Sequence, residues 1–490
     1  MTAHLLAIDQ GTSATKCVLV DAGGRMVAKA SAALGESYPQ PGWVEQDAEA
    51  VWHSVRQAVQ ACLAQQPDAA IAAVGLSTQR ESALVWQRSD GRALTPLLSW
   101  QDQRTVALRD RLSTDAVEVL VRERSGLPLD PMFSALKLSW LLDQIDPQRQ
   151  RARAGELCVG TVDAYLLNRL GAEPLIEAGN ASRTQLLNVR SGRWDDELLA
   201  LFGVPAQALP VVHPSLGRFV DAAALHLRLK GVPVRAVMAD SHAALFAHGA
   251  HAPGQVKATM GTGSSVMGLT DRTDAHHPGL CRTIAWDLGA GPVQALEGNI
   301  RAAGSTLRWI AELFDLDSEA AATLAARSTS DGVCLVPGFN GLGAPWWDPR
   351  AVGLITGLTL NTGKGALLAA AIESIAHQVA DVMDAMDASV AGVTRLLVDG
   401  GPSRNPHLRD TLSAYIGRPV VHCTDPELSA LGVAHLAGLG AGVWDPAALQ
   451  GLPRQQQATA ATGDDAAAAS THAARARWAR AVAQSRLGGR

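Results

Sequence analysis

A carboxylate, a glycine, two hydroxyls and a lysine crowd into residues 9–16: Asp9, Gly11, Thr12, Ser13 and Lys16. They sit in the run LLAIDQGTSATKCVLVDAGGRMVAKA (5–30), which reads as three short strands joined by tight turns. A glycine in the first turn lets backbone N–H groups approach an anion, and the Thr12 and Ser13 hydroxyls add donors. Asp9 could hold a hydrated Mg²⁺, and Lys16 could reach toward phosphate. Alone, Gly-Thr-Ser is the ordinary composition of a turn. A second run, QVKATMGTGSSVMGL (255–269), repeats the strand, Gly-Thr-Gly turn and strand. Two phosphate-type hairpins in one chain point to two similar lobes gripping one nucleotide.

A different chemistry collects at two other strand ends. GLSTQRESALVW (75–86) puts Arg80 and Glu81 just beyond a buried strand, the usual place for ligand contacts in an open α/β sheet. The guanidinium could donate to one hydroxyl and the carboxylate accept from its neighbour. Standing alone, the pair would read as a surface salt bridge. The strand VRAVMA (234–239) ends at Asp240, a carboxylate able to take a proton from a hydroxyl during transfer of a phosphoryl group. Capping the helix that follows is its plainer role, and the two coexist. DGGPSRN (399–405) is a Gly-Gly turn after a strand, by itself equally a helix cap.

These residues need a scaffold, and strand-like runs alternate with helical ones throughout, the α/β pattern. Helical periodicity marks 47–66, 134–144, 161–170, 241–249, 304–314 and 366–386, and IAAVGLS (71–77) reads as a buried strand. At 490 residues the chain exceeds one core, and HGAHAPG breaks the pattern just before the second hairpin. The expected division is therefore 1–247 and 248–490. Residues 457–470 read as a loose connector before a last helix over 474–484.

A net charge of −5 provides no basic field for nucleic acid. Six cysteines with no CxxC pair indicate reduced, buried thiols in a cytoplasmic protein. The N-terminal run is read as entering a strand within a few residues, so no signal peptide is expected, and no apolar stretch is expected to approach the length of a membrane span.

Several blocks together go beyond generic α/β. MFSALKLSWLLDQ (132–144) matches the first signature of the FGGY carbohydrate kinases position by position. GLITGLTLNTGKGALLAAAIESIA (353–376) resembles the second, departing at Ala366 or Leu367, where a polar residue is usual. GWVEQD (42–47), GNASRTQLLNV (179–189) and GLGAPWWDP (341–349) are similar to blocks of the glycerol kinase branch. The resemblance implies two actin-like (ribonuclease H-like) lobes with the active site in the cleft between them, and ATP and Mg²⁺ as cofactors. It implies Asp240 as general base, Arg80 and Glu81 as polyol ligands, and Trp100 packed on the acceptor's carbon face. Thr12, Ser13, Lys16, Thr262, Gly263, Gly304, Arg308, Gly401 and Asn405 would contact the nucleotide, and Asp9 the metal. A glutamine is usual where Arg308 stands.

Three departures bear on the acceptor. Met132 replaces a pocket tyrosine, Ser241 a glutamine and Ser265 a phenylalanine. The resemblance implies ATP-dependent phosphorylation of a hydroxyl of a small polyol or sugar, with glycerol the nearest relative's substrate. A roomier pocket with different polar groups makes a four- or five-carbon polyol or ketopentose, such as erythritol or xylulose, the alternative. LRLKGVPVR (227–235) also lacks the GG-x-TR loop through which some glycerol kinases bind a sugar bisphosphate inhibitor, so that feedback is expected to be absent. A binding protein without catalysis on an actin-like scaffold is the alternative of a different class. The expected partner is a small polyol or sugar, with no nucleic acid or membrane, and a homodimer is left open.

Overall fold

The computed structural model describes residues 3–272, 277–390, 392–425, 427–459 and 465–488. The chain forms two compact units. The first comprises Met1–Gly249, Arg282–Gln294 and Glu427–Pro453; the second comprises Ala250–Cys281, Ala295–Pro426 and Arg454–Arg490. The chain thus passes from one unit to the other at residue 249, and two later segments return to the first.

In the first unit a six-stranded sheet runs Leu216–Asp221, Pro233–Ala239, Ala70–Thr78, Ala3–Gln10, Ala14–Val20 and Met26–Ala33. The first three strands in sequence form an antiparallel meander. Ala70–Thr78 and Pro233–Ala239 then add in parallel on its other side. Strand Ala3–Gln10 is covered on both faces, so Leu5, Leu6, Ala7 and Ile8 are buried without alternation. The crossover helix Ala48–Ala64 starts where Asp47 accepts from the Glu49 and Ala50 N–H groups. It turns Val51, Val55, Val59 and Cys62 inward at helical spacing.

The returning helix Leu428–Gly440 packs where only glycine fits. A Cβ on Gly432 would lie 1.8 Å from the Ala243 carbonyl oxygen, and one on Gly75 would lie 2.5 Å from that of Val433. It therefore seats directly on the helix Asp240–Ala247 and the strand Ala70–Thr78.

The second unit repeats the plan. Val256–Met260 pairs antiparallel with Ser264–Thr270 and parallel with Leu396–Asp399, followed by Val420–Cys423 and Gln456–Thr459. Residues expected as a loose connector are partly ordered: Gln456–Thr459 pairs antiparallel with Val420–Cys423, and the final helix runs Asp465–Leu487. The expected absence of any span-length apolar stretch is also corrected. Lys364–Asp387 has that length and hydropathy, but most of it is buried, as in the core helix of a folded unit. All six cysteines are free and buried.

Candidate functional site

In the first unit, parallel strands bring the expected acceptor residues to one end of the sheet. Asp9 stands in register with Ser77 on one side and Lys16 on the other. Ser77 Oγ donates to Asp9 Oδ1 at 3.0 Å. Burial pushes the Asp9 carboxyl up to about 7, and the Asp240 charge pushes in the same direction against Lys16 and the Ser77 hydrogen bond. Glu427 adds a further negative charge. A cation here would relieve that repulsion, so the donors fit a Mg²⁺ held through one carboxylate and its own waters. No group of three or more His, Cys, Asp or Glu forms a closed metal cage among the described residues.

Arg80, Glu81 and Asp240 converge. Arg80 Nε lies 3.7 Å from Glu81 Oε1 and 3.6 Å from Asp240 Oδ1. Arg80 and Glu81 are buried, whereas the Asp240 side chain is 36% exposed. Glu81 holds a left-handed backbone at φ 61°, a conformation that costs a non-glycine residue energy and marks a constrained position. Asp240 is the first residue of its helix rather than the cap, which is Ala239, and its Oδ1 accepts from the Ser241 N–H at 2.6 Å.

Sequence reasoning missed the support of Glu81. Arg183, fully buried, donates through Nε to Glu81 Oε1 at 2.6 Å and stacks 5.0 Å over the Phe133 ring. Ser134 Oγ donates to the Glu81 carbonyl at 3.0 Å, which brings the Met132 segment beside it. The buried Lys137 ammonium donates to the carbonyls of Pro131, Met132 and Phe133 at 2.8, 2.6 and 3.2 Å. Burial lowers that ammonium to about 8, against the opposing pull of Glu81, Asp102 and Asp130. The backbone of Met132 is therefore pinned while its side chain is half-buried.

A closed ring of hydrogen bonds ties the first hairpin to the acceptor segment. Trp100 Nε1 donates to Thr12 Oγ1 at 3.1 Å, and the Trp100 N–H to Ser82 Oγ at 3.0 Å. Ser82 Oγ donates to Gln79 Oε1, and Gln79 Nε2 to Gln46 Oε1. Gln46 Nε2 closes the ring on the Thr12 carbonyl at 2.6 Å. Trp100 is further framed by the GWVEQD block: Arg104 stacks 3.8 Å over Trp43, and Asp102 accepts from the Val44 N–H at 2.7 Å. The Gly11 N–H is used within its own turn, donating to the Ala14 carbonyl. Lys16 is engaged by Glu427 at 2.6 Å.

In the second unit the expected nucleotide residues gather through backbone contacts. The Thr262 carbonyl accepts from the Ala303 and Ser305 N–H groups and from Ser305 Oγ, while Gly304 N–H donates to Gly261. The turn thus satisfies the first donors of the helix Gly304–Leu313. A Cβ on Gly263 would lie 2.4 Å from the Ile300 oxygen, and one on Gly304 would lie 2.5 Å from that of Gly261. Gly400, at φ 90°, leaves 2.0 Å between a would-be Cβ and the Met260 oxygen. Gly401 faces open space, and Arg308 is exposed one turn along its helix. Asn405 caps the helix Pro406–Ile416 by accepting from the His407 N–H at 2.9 Å. Ser265 belongs to this unit and donates to Glu297 at 2.6 Å.

Comparison with known proteins gives the family. Residues 4–247 match the N-terminal domain model of the FGGY family of carbohydrate kinases, and residues 256–441 match its C-terminal domain model. An apulose kinase of Pectobacterium atrosepticum is 40% identical, covering 99% of both chains. A glycerol kinase of Geobacter sp. is 42% identical over 91% of this chain and 92% of its own. The crystal structure of Plasmodium falciparum glycerol kinase with ADP superposes with a TM-score of 0.90 at 25% identity, covering 99% and 98% of the two chains. A ligand-bound xylulose kinase of Lactobacillus acidophilus shares the fold at TM-score 0.88 and 20% identity, covering 98% and 97%.

Proposed function

Since this chain belongs to the FGGY family of carbohydrate kinases, we propose that it transfers the terminal phosphoryl group of ATP to a hydroxyl of a four- or five-carbon polyol or ketose, with Asp240 as general base. The chain is a carbohydrate kinase with the actin-like fold, a phosphotransferase acting on a hydroxyl of a sugar or polyol and using ATP. The alternative of a non-catalytic scaffold falls with it.

The observation that supports the acceptor site and its base is the convergence of Arg80, Glu81 and Asp240 in the first unit, while the four- or five-carbon acceptor rests on Met132, Ser241 and Ser265. Arg80 donates to one acceptor hydroxyl, and Glu81, clamped by Arg183, accepts from the next. Asp240, the most exposed of the three, takes the proton of the attacking hydroxyl as its oxygen bonds to phosphorus and ADP leaves. Trp100 offers a ring face to the carbon skeleton, and Met132, Ser241 and Ser265 set the acceptor's size. Thr12, Ser13 and Lys16 of the first hairpin serve the phosphates. Thr262, Gly263, Gly304, Arg308, Gly401 and Asn405 of the second unit hold the nucleotide, with residues 1–247 and 248–490 dividing the work as acceptor and nucleotide portions. Mg²⁺ at Asp9, when bound, would supply positive charge to the transferring phosphates.

Glycerol is the second reading, since relatives named for apulose and for glycerol stand at nearly equal identity, 40% and 42%. A coupled ADP-release screen over glycerol, erythritol, threitol, pentitols and ketopentoses separates the two. A highest kcat/KM for a four- or five-carbon acceptor is expected, and a highest value for glycerol overturns the finer reading.

A further inference from the structure

Glu427 is a residue that neither the motifs nor the acceptor chemistry absorbs. It opens one of the two segments that return to the first unit, and it begins the helix Leu428–Gly440 from a left-handed backbone, φ 60°. Such a conformation in a non-glycine residue is held only where its surroundings fix it. Here the helix behind it is locked by the Gly432 contact with Ala243 and the Gly75 contact with Val433. The carboxylate is thereby held between two strands of the meander. Oε2 lies 2.6 Å from Lys16 Nζ, and Oε1 lies 2.8 Å from Lys29 Nζ. The Glu427 side chain is 9% exposed, whereas the two lysine side chains are 41% and 46% exposed. Burial would raise the carboxyl, but the hydrogen bonds from Lys16 and Lys29 outweigh it and hold it below the ordinary range.

Two cations on one fixed anion are more than its neutralisation requires, and they differ in what else they could do. Lys29 lies on the strand Met26–Ala33, outside the phosphate-type turn. Lys16 lies at the foot of that turn, in register with Asp9. We propose that Glu427 is a positioning residue that holds the Lys16 ammonium in reserve, and that Lys29 lets Lys16 leave for a nucleotide phosphate without stranding a buried carboxylate. An unpaired buried charge is costly, so a second resident cation lowers the cost of releasing the first. A phosphate carries more charge than one carboxylate and competes for the ammonium on that basis. The inference rests on the reading that Lys16 serves the nucleotide phosphates.

The test is calorimetric titration of the full chain with a non-hydrolysable ATP analogue and Mg²⁺, without acceptor. Glu427→Gln frees Lys16 and removes a charge that repels phosphate, so affinity is expected to rise about twofold to fivefold, the scale of a partly exposed ion pair. Lys29→Met leaves Lys16 as the sole partner of Glu427, and affinity is expected to fall by a similar factor. Glu427→Asp, which keeps the charge, should return toward wild type. In steady state KM for ATP should follow these shifts while KM for the acceptor stays put. A Glu427→Gln protein that binds the analogue more weakly, or Lys29→Met that binds it as tightly as wild type, overturns the proposal. Movement of both KM values together with a lowered Tm would also overturn it, since that is the signature of a structural role alone. Lys16→Met separates the underlying reading: unchanged analogue affinity there means Lys16 does not serve the phosphates at all.

Discussion

The segments proposed to bind the acceptor in the first unit and the loops proposed to bind nucleotide in the second are built by opposite means. Around Glu81 the contacts are made by side chains: Arg183 on its carboxylate, Arg80 bridging toward Asp240, Lys137 gathering three carbonyls. Around Thr262 the contacts are made by backbone, with the Gly-Thr-Gly turn feeding the Gly304–Leu313 helix and Gly400 pressed on Met260. A side-chain site changes specificity by substitution without rebuilding the chain path. A backbone site changes little without being lost. That asymmetry suits an enzyme whose relatives carry names for different acceptors.

The largest effect expected from breaking the comparison is at Asp240. Asp240→Asn keeps the Ser241 N–H contact, because an amide oxygen still accepts, but it removes the carboxylate proposed as the base. Turnover should fall about 10²–10⁴-fold with affinity for the ATP analogue nearly unchanged. Rapid-quench measurement of the first turnover checks this, and a variant that keeps most of its rate removes Asp240 from the mechanism.

On the nucleotide side the sharpest change is a single methyl group. Gly400→Ala forces an L side chain into φ 90° with its Cβ 2.0 Å from the Met260 oxygen. A stability loss of at least about 2 kcal/mol is expected, with analogue affinity reduced more than acceptor affinity. Urea unfolding with paired titrations decides it. If acceptor affinity falls equally, the loop's effect is not local to the nucleotide, and the contrast between the two regions fails.

What was legible beforehand follows from the same contrast. Asp9, Arg80, Glu81 and Asp240 stand out in the sequence because a charged residue at the end of a buried strand is conspicuous, and the Gly-Thr-Gly turn because a Cβ on Gly263 would lie 2.4 Å from the Ile300 oxygen. The hydrogen-bond ring was not readable. Gln46 and Gln79 are neutral amides with no spacing signature, and Trp100 meets Thr12 across 88 residues. Arg183 lay inside a block already noticed for its resemblance, but nothing in that block shows that its partner stands 102 residues earlier. The return of 427–453 to the first unit depends on Gly432 and Gly75 meeting carbonyls from distant segments, a packing fact without local trace.

An effect that is smaller per pH unit concerns Glu177, which supports the segment leading to Arg183. It accepts from the Gly179 and Asn180 N–H groups, from Asn180 Nδ2 and from Ser215 Oγ. Burial pushes its carboxyl up to about 8 against those donors, from an ordinary value of 4.5. A folded value above the unfolded one means the native state holds the extra proton in between, so stability falls as pH rises from about 4.5 to about 8. The slope from this group cannot exceed about 1.4 kcal/mol per pH unit. Glu177→Gln should flatten that part of the profile in urea titrations, and an unchanged slope would show that Glu177 is ionised throughout.

The smallest effect, and the one that probes the acceptor side most directly, is at Met132. Its N–H donates to Asp130 Oδ1 at 2.9 Å and its carbonyl accepts from Lys137, so the backbone is fixed independently of the side chain. Met132→Tyr should therefore seat a phenol beside Glu81 and Arg183 without moving the segment. One added hydrogen bond contributes roughly 0.5–1.5 kcal/mol, which is roughly twofold to tenfold in kcat/KM. Because the ring also fills space, the gain should appear for glycerol, and the four- or five-carbon acceptor should lose by crowding. The ratio of the two kcat/KM values, measured in parallel on both proteins, reads the change free of enzyme-concentration error. A ratio that stays constant would mean that residue 132 does not face the acceptor.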